Sequence, residues 1–305
     1  LLNAAWHRLG WPPVEWLGGG HPEVAHSMHP LLMPSRRAAQ VVTIYDLNFL
    51  SHPERTRAEV RRDYPRLARE HAHRADQVIV ISRFTAAEVE QRLEVPASRI
   101  TVCVPGGPGW PPREAAPRDG YILFFSTLEP RKNLGALLDA YETLAPRRPD
   151  LPRLVLAGKT TEQSGPWLER IARPPLRGLV QHIGYVAPTD RRAVYAGARV
   201  LVVPSFEEGF GLPVVEAMTV GVPVVAARAG ALPEVGGDAV LLADPRDPST
   251  FAAALERLLD DDEVVADYTA RGLRRAAQFT WKATAESALT AYAQALAVRS
   301  VRGGH

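Results

Sequence analysis

Short apolar runs rich in β-branched residues alternate along most of this chain with segments whose apolar residues recur at helical spacing. The runs lie at residues 41–44, 77–81, 121–125, 154–157, 180–183, 200–203, 222–226 and 239–242. Alternation of strand and helix at this spacing is typical of a parallel sheet covered by helices on both faces. The sequence therefore predicts the α/β fold class.

A cluster of glycine and proline at residues 105–112 separates the second of these runs from the third. Such a segment continues neither a helix nor a sheet ladder. A chain of 305 residues is expected to form two domains at roughly 150 residues each. We therefore predict a first domain over residues 1–112, a second over 117–278, and a closing helix within 279–305 that packs back towards the first domain.

The first of these domains shows only two clear strands, and a two-stranded parallel sheet is a poor independent unit. The chain begins Leu1-Leu2-Asn3, with neither a methionine nor a signal sequence. We expect further strands of this domain to precede Leu1, so that the domain is truncated at its N-terminus.

Composition excludes several classes of function. Lys and Arg number 36 against 34 Asp and Glu, a net charge of +2, so no strong field draws the chain to nucleic acid. Cys103 is the only cysteine in the sequence, which rules out an intrachain disulfide and a cysteine zinc site and fits a reducing cytoplasm. No apolar stretch approaches the ~18 residues of a membrane span. We expect a cytoplasmic protein, soluble or peripheral at the inner face of the membrane.

Three residues are expected to begin helices in the second half of the chain. Asn133 precedes a helix with one apolar face and is of a type that caps helices. Asp247 followed by Pro248 is typical of a cap and a first helical residue. Thr280 is expected to start the last helix, which runs from residue 281 to about 298.

Two phosphate-binding motifs can be excluded. Residues 154–160 end in Gly158-Lys159-Thr160 like a P-loop, but Arg153 stands where that motif requires glycine. No strand is followed by G-x-G-x-x-G, because the glycines at 209 and 211 are followed by Leu-Pro-Val. Neither a P-loop nucleotidase nor a nicotinamide-dependent dehydrogenase is supported.

A glycine-rich loop at residues 204–212 leads from the strand at 200–203 into a helix whose first residue is expected to be Pro213. Free amides and the helix dipole favour an anion there, which predicts a phosphate or sugar-phosphate site. Glu208 precedes the glycines and Glu216 lies about one turn into the helix, so both carboxylates can reach one cleft and accept hydrogen bonds from sugar hydroxyls. The alternative is that Glu216 is a solvated first-turn acid and Glu207-Glu208 an ordinary exposed pair.

Lysine is rare in this chain: of the 36 lysines and arginines only three are lysines, Lys132, Lys159 and Lys282. Arg131 and Lys132 follow the strand at 121–125, at the sheet edge where ligands bind. Two cations there can neutralise a diphosphate leaving group. The alternative is an ion pair from Arg131 or Lys132 to Glu129 on a solvated loop.

Five segments stand in the order and spacing of one enzyme family. They are residues 127–133 (TLEPRKN), 154–158 (LVLAG), 182–186 (HIGYV), 208–213 (EGFGLP) with Glu216, and 221–225 (GVPVV). From about residue 25 to about residue 292 the chain resembles the retaining glycosyltransferases of family 4, the group of bacterial mannosyl- and rhamnosyltransferase-like enzymes. The resemblance implies the GT-B fold, in which two Rossmann-like domains with parallel sheets face a cleft.

The resemblance also implies roles for single residues. By this resemblance Glu216 binds the ribose hydroxyls of the donor nucleotide, while Arg131 and Lys132 hold the diphosphate. Glu208 is implied to face the transferred sugar, so that the catalytic group is Glu208, Arg131 and Lys132. The remaining donor-binding positions are the loop backbone and the turn near the base: Gly209, Phe210, Gly211, Leu212, Tyr185 and Val186.

The implied reaction moves a hexose from a nucleoside diphosphate sugar to a hydroxyl of a glycan or lipid-linked acceptor, with retention at the anomeric carbon. GDP-mannose is the first choice of donor. Neither a cofactor nor a metal ion is implied, and the only acidic candidate for a metal, residues 260–262, follows an amphipathic helix as a solvated end.

The chain departs from the family in two respects. Tyr45 stands where many members have histidine, so the resemblance assigns no general acid–base role to it. The family's opening strands and their glycine-rich loop, which borders the donor phosphates and the acceptor, are absent from the sequence. We expect them to belong to the part of the domain that precedes Leu1.

Two other functional classes stay open. A non-catalytic nucleotide-sugar-binding or scaffold protein of the same fold binds a donor without turning it over. An epimerase or a phosphorylase is a third hypothesis, although a phosphorylase requires a lysine for pyridoxal phosphate and neither Lys159 nor Lys282 has a clear setting for one.

An arginine-rich stretch at residues 54–76 offers a further hypothesis, contact with anionic lipid headgroups. Its arginines at 55, 62, 66 and 69 share a helical face. Interleaved acids allow ion pairs four residues apart, and Pro65 is expected to interrupt any long helix. The sequence favours a solvated helix face over a membrane contact.

Overall fold

The computed structural model describes residues 10–17, 20–51 and 58–303. The chain divides into two compact units, one of residues 1–106 with 280–305 and one of residues 107–279. The division after Gly106 falls inside the glycine- and proline-rich segment 105–112, and the last helix belongs to the first unit.

The first unit contains a four-stranded parallel sheet in the order β1-β2-β3-β4. The strands are β1 (Val24–Ser27), β2 (Ala39–Ile44), β3 (Gln77–Val80) and β4 (Ile100–Val102). The helices before residue 107 are α1 (Val14–Leu17), α2 (Asn48–Ser51), α3 (Ala58–Arg74) and α4 (Arg83–Leu93), with a 3-10 turn at Ala97–Arg99. Every residue of β2 and β3 is buried.

The expectation of only two strands in the first domain is wrong, because β1 and β4 complete the sheet at its edges. Both are short and neither is a continuous apolar run, since β1 contains His26 and Ser27 and β4 contains Thr101. A strand buried on both faces reads as a near-continuous apolar run. The two central strands have that pattern and the two edge strands lack it, which is why the sequence shows only the central pair.

The second unit contains an all-parallel, six-stranded sheet in the order β10-β9-β8-β5-β6-β7. The strands are β5 (Tyr121–Phe125), β6 (Leu154–Ala157), β7 (Val180–Gly184), β8 (Ala198–Val203), β9 (Val224–Ala227) and β10 (Leu241–Ala243). The helices are α5 (Leu134–Leu144), α6 (Gly165–Ile171), α7 (Arg191–Ala196), α8 (Leu212–Val220), α9 (Leu232–Gly236), α10 (Pro248–Asp260) and α11 (Asp262–Ala276), with 3-10 turns at Pro130–Lys132 and Gly237–Ala239. All six predicted strands of this unit are confirmed to within two residues at each end.

All three predicted helix starts are confirmed, but the side-chain cap expected at Asn133 is wrong. Asp247 caps α10 through its side chain, and the hydroxyl of Thr280 accepts a hydrogen bond at the start of the last helix, α12 (Trp281–Gly303). Asn133 makes no side-chain cap: its backbone is left-handed, with φ 53°, and its Nδ2 donates to the carbonyls of Pro204 and Pro245 at 3.0 and 2.8 Å. Asn133 therefore fastens the loop after β5 to the segments that follow β8 and β10.

Helix α12 packs on the sheet of the first unit. Ala291 and Ala295 are fully buried in a cluster with Val41 of β2 and Ile79 of β3. Small side chains at these positions let the helix approach the strands closely. The chain thus returns to its first unit after completing the second.

Helix α3 continues through Pro65, so the expectation that this proline interrupts the helix is wrong. Proline removes one hydrogen bond from a helix interior. Ala68 and Ala72 on the same helix are fully buried, and tertiary packing of this kind supplies most helical stability in proteins.

Two arginines of this helix, Arg66 and Arg69, are each paired with an acid. Arg66 lies 2.5 Å from Glu70, and Arg69 lies 3.5 Å from Glu94. Arg55 and the side chain of Arg62 lie outside the described part of the chain. The observed pairs fit the solvated-face interpretation. Within residues 10–17, 20–51 and 58–303, no helix combines the length and apolar character needed to cross a bilayer.

Candidate functional site

The carboxyl ends of β5, β6, β7 and β8 meet at one edge of the second unit's sheet, and the strand order reverses between β5 and β8. Ligands of open parallel sheets bind at such a point. A cavity of about 370 Å³ opens there. Its walls come from these strand ends and from the first residues of α7 and α8: Phe125, Ser126, Thr127, Gly158, Lys159, Tyr185, Val186, Arg191, Leu212, Pro213 and Glu216.

Glu216 is buried in the wall of this cavity, with 8% of its surface exposed. The Tyr195 hydroxyl donates to its Oε2 at 2.6 Å, and Arg191 donates to its Oε1 at 3.1 Å. Helix α8 begins at Leu212, which leaves Glu216 beyond the first turn. The alternative of a solvated first-turn acid is therefore wrong. Each oxygen of a carboxylate accepts about two hydrogen bonds, so both oxygens of Glu216 keep capacity for a ligand's hydroxyl groups.

Tyr195 and Phe125 form the support beneath Glu216. Their rings stack with centroids 4.9 Å apart and planes at 21°. Burial raises the pKa of Tyr195 well above its usual value, and the nearby Glu216 carboxylate raises it further. The Tyr195 hydroxyl therefore keeps its proton and acts as a donor, which fixes the orientation of the Glu216 carboxylate.

Arg191 and Tyr195 were missed by the sequence analysis. They lie four residues apart on α7 and so share one helical face. That spacing, in the helix that follows the HIGYV segment, is the signal that identifies them. Arg191 also places its guanidinium 5.5 Å from the centroid of the Phe125 ring, which fixes a cation against the wall of the cavity.

Gly158 and Lys159 form the turn at the end of β6. Gly158 has a φ of 149°, and a Cβ at this position would lie 1.8 Å from the carbonyl oxygen of Ser126. Only glycine fits there. Lys159 follows with its Nζ 4.7 Å from the centroid of the Tyr185 ring. The sequence assigned no role to Lys159, because residues 154–160 do not form a P-loop motif. In the structure Lys159 lies in the wall of the cavity.

A second cluster surrounds Glu208, which is 8% exposed. Its Oε1 accepts hydrogen bonds from Lys132 Nζ at 2.6 Å and Ser205 Oγ at 2.8 Å, and Arg131 Nη1 lies 3.5 Å from its Oε2. The alternative of an exposed acidic pair is therefore wrong for Glu208. The ion pair to Glu129 is present, but Arg131 makes it, at 2.8 Å, and Lys132 does not.

The glycine loop between β8 and α8 packs against residues 230–232. Gly211 has a φ of 104°, and a Cβ there would lie 2.7 Å from the Leu232 side chain. Phe210 turns into the unit and meets Phe279 edge to face, with ring centroids 5.7 Å apart. Leu212 is 45% exposed and lines the cavity. These contacts hold the loop that connects the Glu208 cluster to the cavity.

The predicted site residues fall into two groups. Tyr185, Val186, Leu212 and Glu216 line the cavity. Arg131 and Lys132 are gathered around Glu208, and Gly209, Phe210 and Gly211 join the two groups along the chain. Among the residues that the structure describes, Glu208 and Glu216 share no hydrogen-bond partner.

Of the acidic residues 260–262, Asp260 ends α10, Asp261 lies between the helices and Asp262 begins α11. Asp261 caps α11 by accepting from two backbone amides, and Asp260 pairs with Arg148 at 2.5 Å. Within the described part of the chain, no three side chains of His, Cys, Asp or Glu are grouped so that they could hold a metal ion.

A parallel sheet in each unit, with a glycine loop and two buried carboxylates at the ligand edge of the second sheet, is the architecture of a GT-B glycosyltransferase. The chain shares its fold with sucrose-phosphate synthase from Thermosynechococcus elongatus. The TM-score is 0.74 at 24% sequence identity, covering 86% of this chain and 69% of that one.

The sequence model of the family described as Glycosyl transferases group 1 matches residues 119–261. O-antigen chain mannosyltransferase B of Escherichia coli is 34% identical over 272 residues, which are 85% of this chain and 71% of that protein. MMP alpha-(1->4)-mannosyltransferase of Mycolicibacterium hassiacum is 33% identical over 233 residues, 74% of this chain and 56% of that protein. The chain belongs to the group 1 glycosyl transferases, which confirms the family and the fold that the resemblance implied.

Proposed function

We propose that this protein transfers a hexose, with mannose as the first candidate, from a nucleoside diphosphate sugar to a hydroxyl of a glycan or lipid-linked acceptor. The proposed donor is GDP-mannose, and the anomeric configuration is retained. The similarity to two mannosyltransferases supports the choice of sugar. The proposal involves no cofactor and no metal ion in the chemical step.

The observation that carries the proposal is the fixed, buried carboxylate of Glu216 in the cavity at the ligand edge of the sheet. An acceptor-only group held by two donors is suited to bind the paired hydroxyls of a ribose. We assign the ribose to Glu216 and the region of the base to Tyr185 and Val186.

The second cluster is assigned to the diphosphate and the transferred sugar. The Lys132 ammonium has three donors and gives one to Glu208, so two remain for phosphate oxygens. Arg131 is the second cation. Glu208 is held by three side chains and orients the sugar, together with the backbone of residues 209–212.

In the proposed mechanism the bond from the anomeric carbon to the leaving phosphate oxygen breaks, and a bond to the acceptor oxygen forms on the same face of the sugar. The acceptor proton passes to an oxygen of the departing diphosphate. Arg131 and Lys132 stabilise the negative charge that develops there. Preorganised donors of this kind contribute most where charge appears in the transition state.

The test is a transfer and hydrolysis assay with GDP-mannose, UDP-glucose and ADP-glucose, in which nucleoside diphosphate release is measured with and without glycan acceptors. Lys132→Met is expected to reduce turnover about 100-fold or more. Lys282→Met is the matched control, because Lys282 is 85% exposed on α12 and makes only a long contact to Glu286 at 3.9 Å.

Several outcomes would contradict the proposal. Donor binding with no release of diphosphate under any condition would favour the non-catalytic hypothesis. Conversion of the donor sugar without an acceptor would favour an epimerase. Full turnover by Lys132→Met would show that this residue has no role in the reaction. A product with inverted anomeric configuration, measured by NMR, would exclude retention. Loss of activity in EDTA would exclude a metal-independent reaction.

A further inference from the structure

Lys159 lines the cavity beside Tyr185 and has no part in the mechanism above. Its Nζ lies 4.7 Å from the Tyr185 ring centroid. The ammonium makes no hydrogen bond or ion pair with any residue that the structure describes. By contrast, Arg191, the other cation of the cavity, is held by Glu216 at 3.1 Å. Lys159 is therefore a cation of this cavity whose three donors all remain available to a ligand, whereas Arg191 gives one of its donors to Glu216.

The backbone of Lys159 is fixed on both sides. The Gly158 amide donates to the Gly184 carbonyl at 2.7 Å, and the Leu128 amide donates to the Lys159 carbonyl at 2.8 Å. His182 Nε2 lies 2.9 Å from the Gly158 carbonyl. These hydrogen bonds fix the main chain next to the Lys159 side chain, which lines the cavity beside the ring of Tyr185.

Tyr185 presents an accessible ring at the same place, with 58% of the residue exposed. An aromatic ring next to a cation is suited to a nucleobase, since every base has a face that stacks and an edge that forms hydrogen bonds. Glu216 lines the same cavity. A nucleotide whose ribose is bound by Glu216 can therefore place its base against Tyr185 and Lys159 in the wall of the same cavity.

The edge of the base determines whether it can accept a hydrogen bond from a lysine. An ammonium donates three hydrogen bonds and accepts none. Guanine presents acceptors at N7 and O6, and thymine presents one at O4, whereas adenine and cytosine carry an amino donor at the equivalent position. Uracil shares the O4 carbonyl of thymine.

We propose that Lys159, held beside Tyr185, selects donors whose base carries a carbonyl where adenine and cytosine carry an amino group. This inference rests on the proposed function, because it assigns the same cavity to a nucleotide. Lys159 acts as a specificity residue and takes no part in the transfer step.

The test is isothermal titration calorimetry of the protein with GDP, IDP, ADP, UDP and CDP. IDP and ADP differ at the 6-position of a purine, and UDP and CDP differ at the 4-position of a pyrimidine. IDP is expected to bind about ten-fold or more tightly than ADP, and UDP more tightly than CDP. In Lys159→Met each ratio is expected to approach one, while Lys282→Met keeps both ratios.

A preference for IDP over ADP and for UDP over CDP that disappears in Lys159→Met supports the inference, whichever of GDP and UDP binds more tightly. Equal affinities for IDP and ADP in the unaltered protein would overturn it. So would an equal loss of affinity for all five nucleotides in Lys159→Met, because the lysine would then bind the shared diphosphate. Binding of every nucleotide without discrimination refutes this inference alone, whereas binding of none refutes the proposed donor as well.

Discussion

Replacement of Tyr195 by phenylalanine removes one oxygen atom and with it the hydrogen bond to Glu216 Oε2, which is 2.6 Å long. The rest of the side chain stays, including the stack on Phe125 at 4.9 Å. The substitution therefore isolates the effect of one donor on a buried carboxylate. Since Tyr195 is fully buried, water has little access to replace the lost hydroxyl.

The expected loss follows from the charge of the acceptor. A hydrogen bond to a charged group contributes about 1.5–3 kcal/mol, whereas one to a neutral group contributes about 0.5–1.5 kcal/mol. Tyr141→Phe is the matched control, because its hydroxyl donates to the neutral carbonyl of Pro152 at 3.0 Å in the same unit. Tyr195→Phe is expected to lower the free energy of unfolding by about 1 kcal/mol more than Tyr141→Phe does.

Differential scanning calorimetry measures this difference. For a unit of this size the thermal midpoint changes by about 2–4 °C per kcal/mol, so Tyr195→Phe should melt a few degrees below Tyr141→Phe. GDP binding is expected to weaken only in Tyr195→Phe, because only there does the ribose carboxylate lose a support. Equal midpoints and equal GDP affinities for the two variants would show that Tyr195 does not hold Glu216 in place.

Two further predictions concern the backbone at Gly158 and the half-buried side chain of His26. Gly158→Ala is expected to lower the thermal midpoint far more than Gly178→Ala, because the Cβ added at residue 158 would lie 1.8 Å from the Ser126 carbonyl oxygen. At Gly178, which has a φ of 82°, nothing lies within 4 Å of an added Cβ, so only the cost of the left-handed conformation remains, about 1–2 kcal/mol. Similar midpoints for the two variants would show that the clash at residue 158 is not decisive. Burial lowers the pKa of His26 below its ordinary value of 6.5, so as the pH falls the unfolded chain takes up this proton first and the free energy of unfolding declines below about pH 6.5. Urea unfolding at about pH 7 and about pH 5 measures how far the free energy of unfolding falls between them. The fall is expected to be smaller in His26→Gln than in the unaltered protein, and equal falls would show that His26 does not contribute.

The second unit could be predicted closely from the sequence because its four inner strands, β5, β6, β8 and β9, are largely buried. Such strands read as near-continuous apolar runs, and the less buried edge strands β7 and β10 were predicted as well. The first unit's edge strands could not be found in this way, since β1 includes His26 and Ser27. The order of the strands, including the reversal between β5 and β8, depends on pairing between distant segments and is seen only in the structure.

The site was predictable where a local pattern carries the chemistry and not where the fold brings distant residues together. Glu208 stands in the glycine loop and Glu216 in the helix that follows it, so a short stretch of sequence indicates the function of both. Arg191 becomes part of the site through its contact with Glu216, 25 residues further on in the chain. Asn133 is of a residue type that often caps helices. Its side chain instead donates hydrogen bonds to two loop carbonyls, and its backbone is left-handed.

The pairing of both carboxylates with cations from other segments resolves an electrostatic conflict in the proposed site. Two bare carboxylates beside a diphosphate would repel it, at about 4 kcal/mol for unit charges 4 Å apart near a protein surface. Lys132 and Arg131 neutralise Glu208, and Arg191 neutralises Glu216. Removal of one partner from a buried pair costs about 3–5 kcal/mol, because the remaining charge is uncompensated. The effect of Lys132→Met on turnover therefore combines a lost phosphate contact with an unbalanced Glu208, and the double variant with Glu208→Gln, which removes that charge, separates the two.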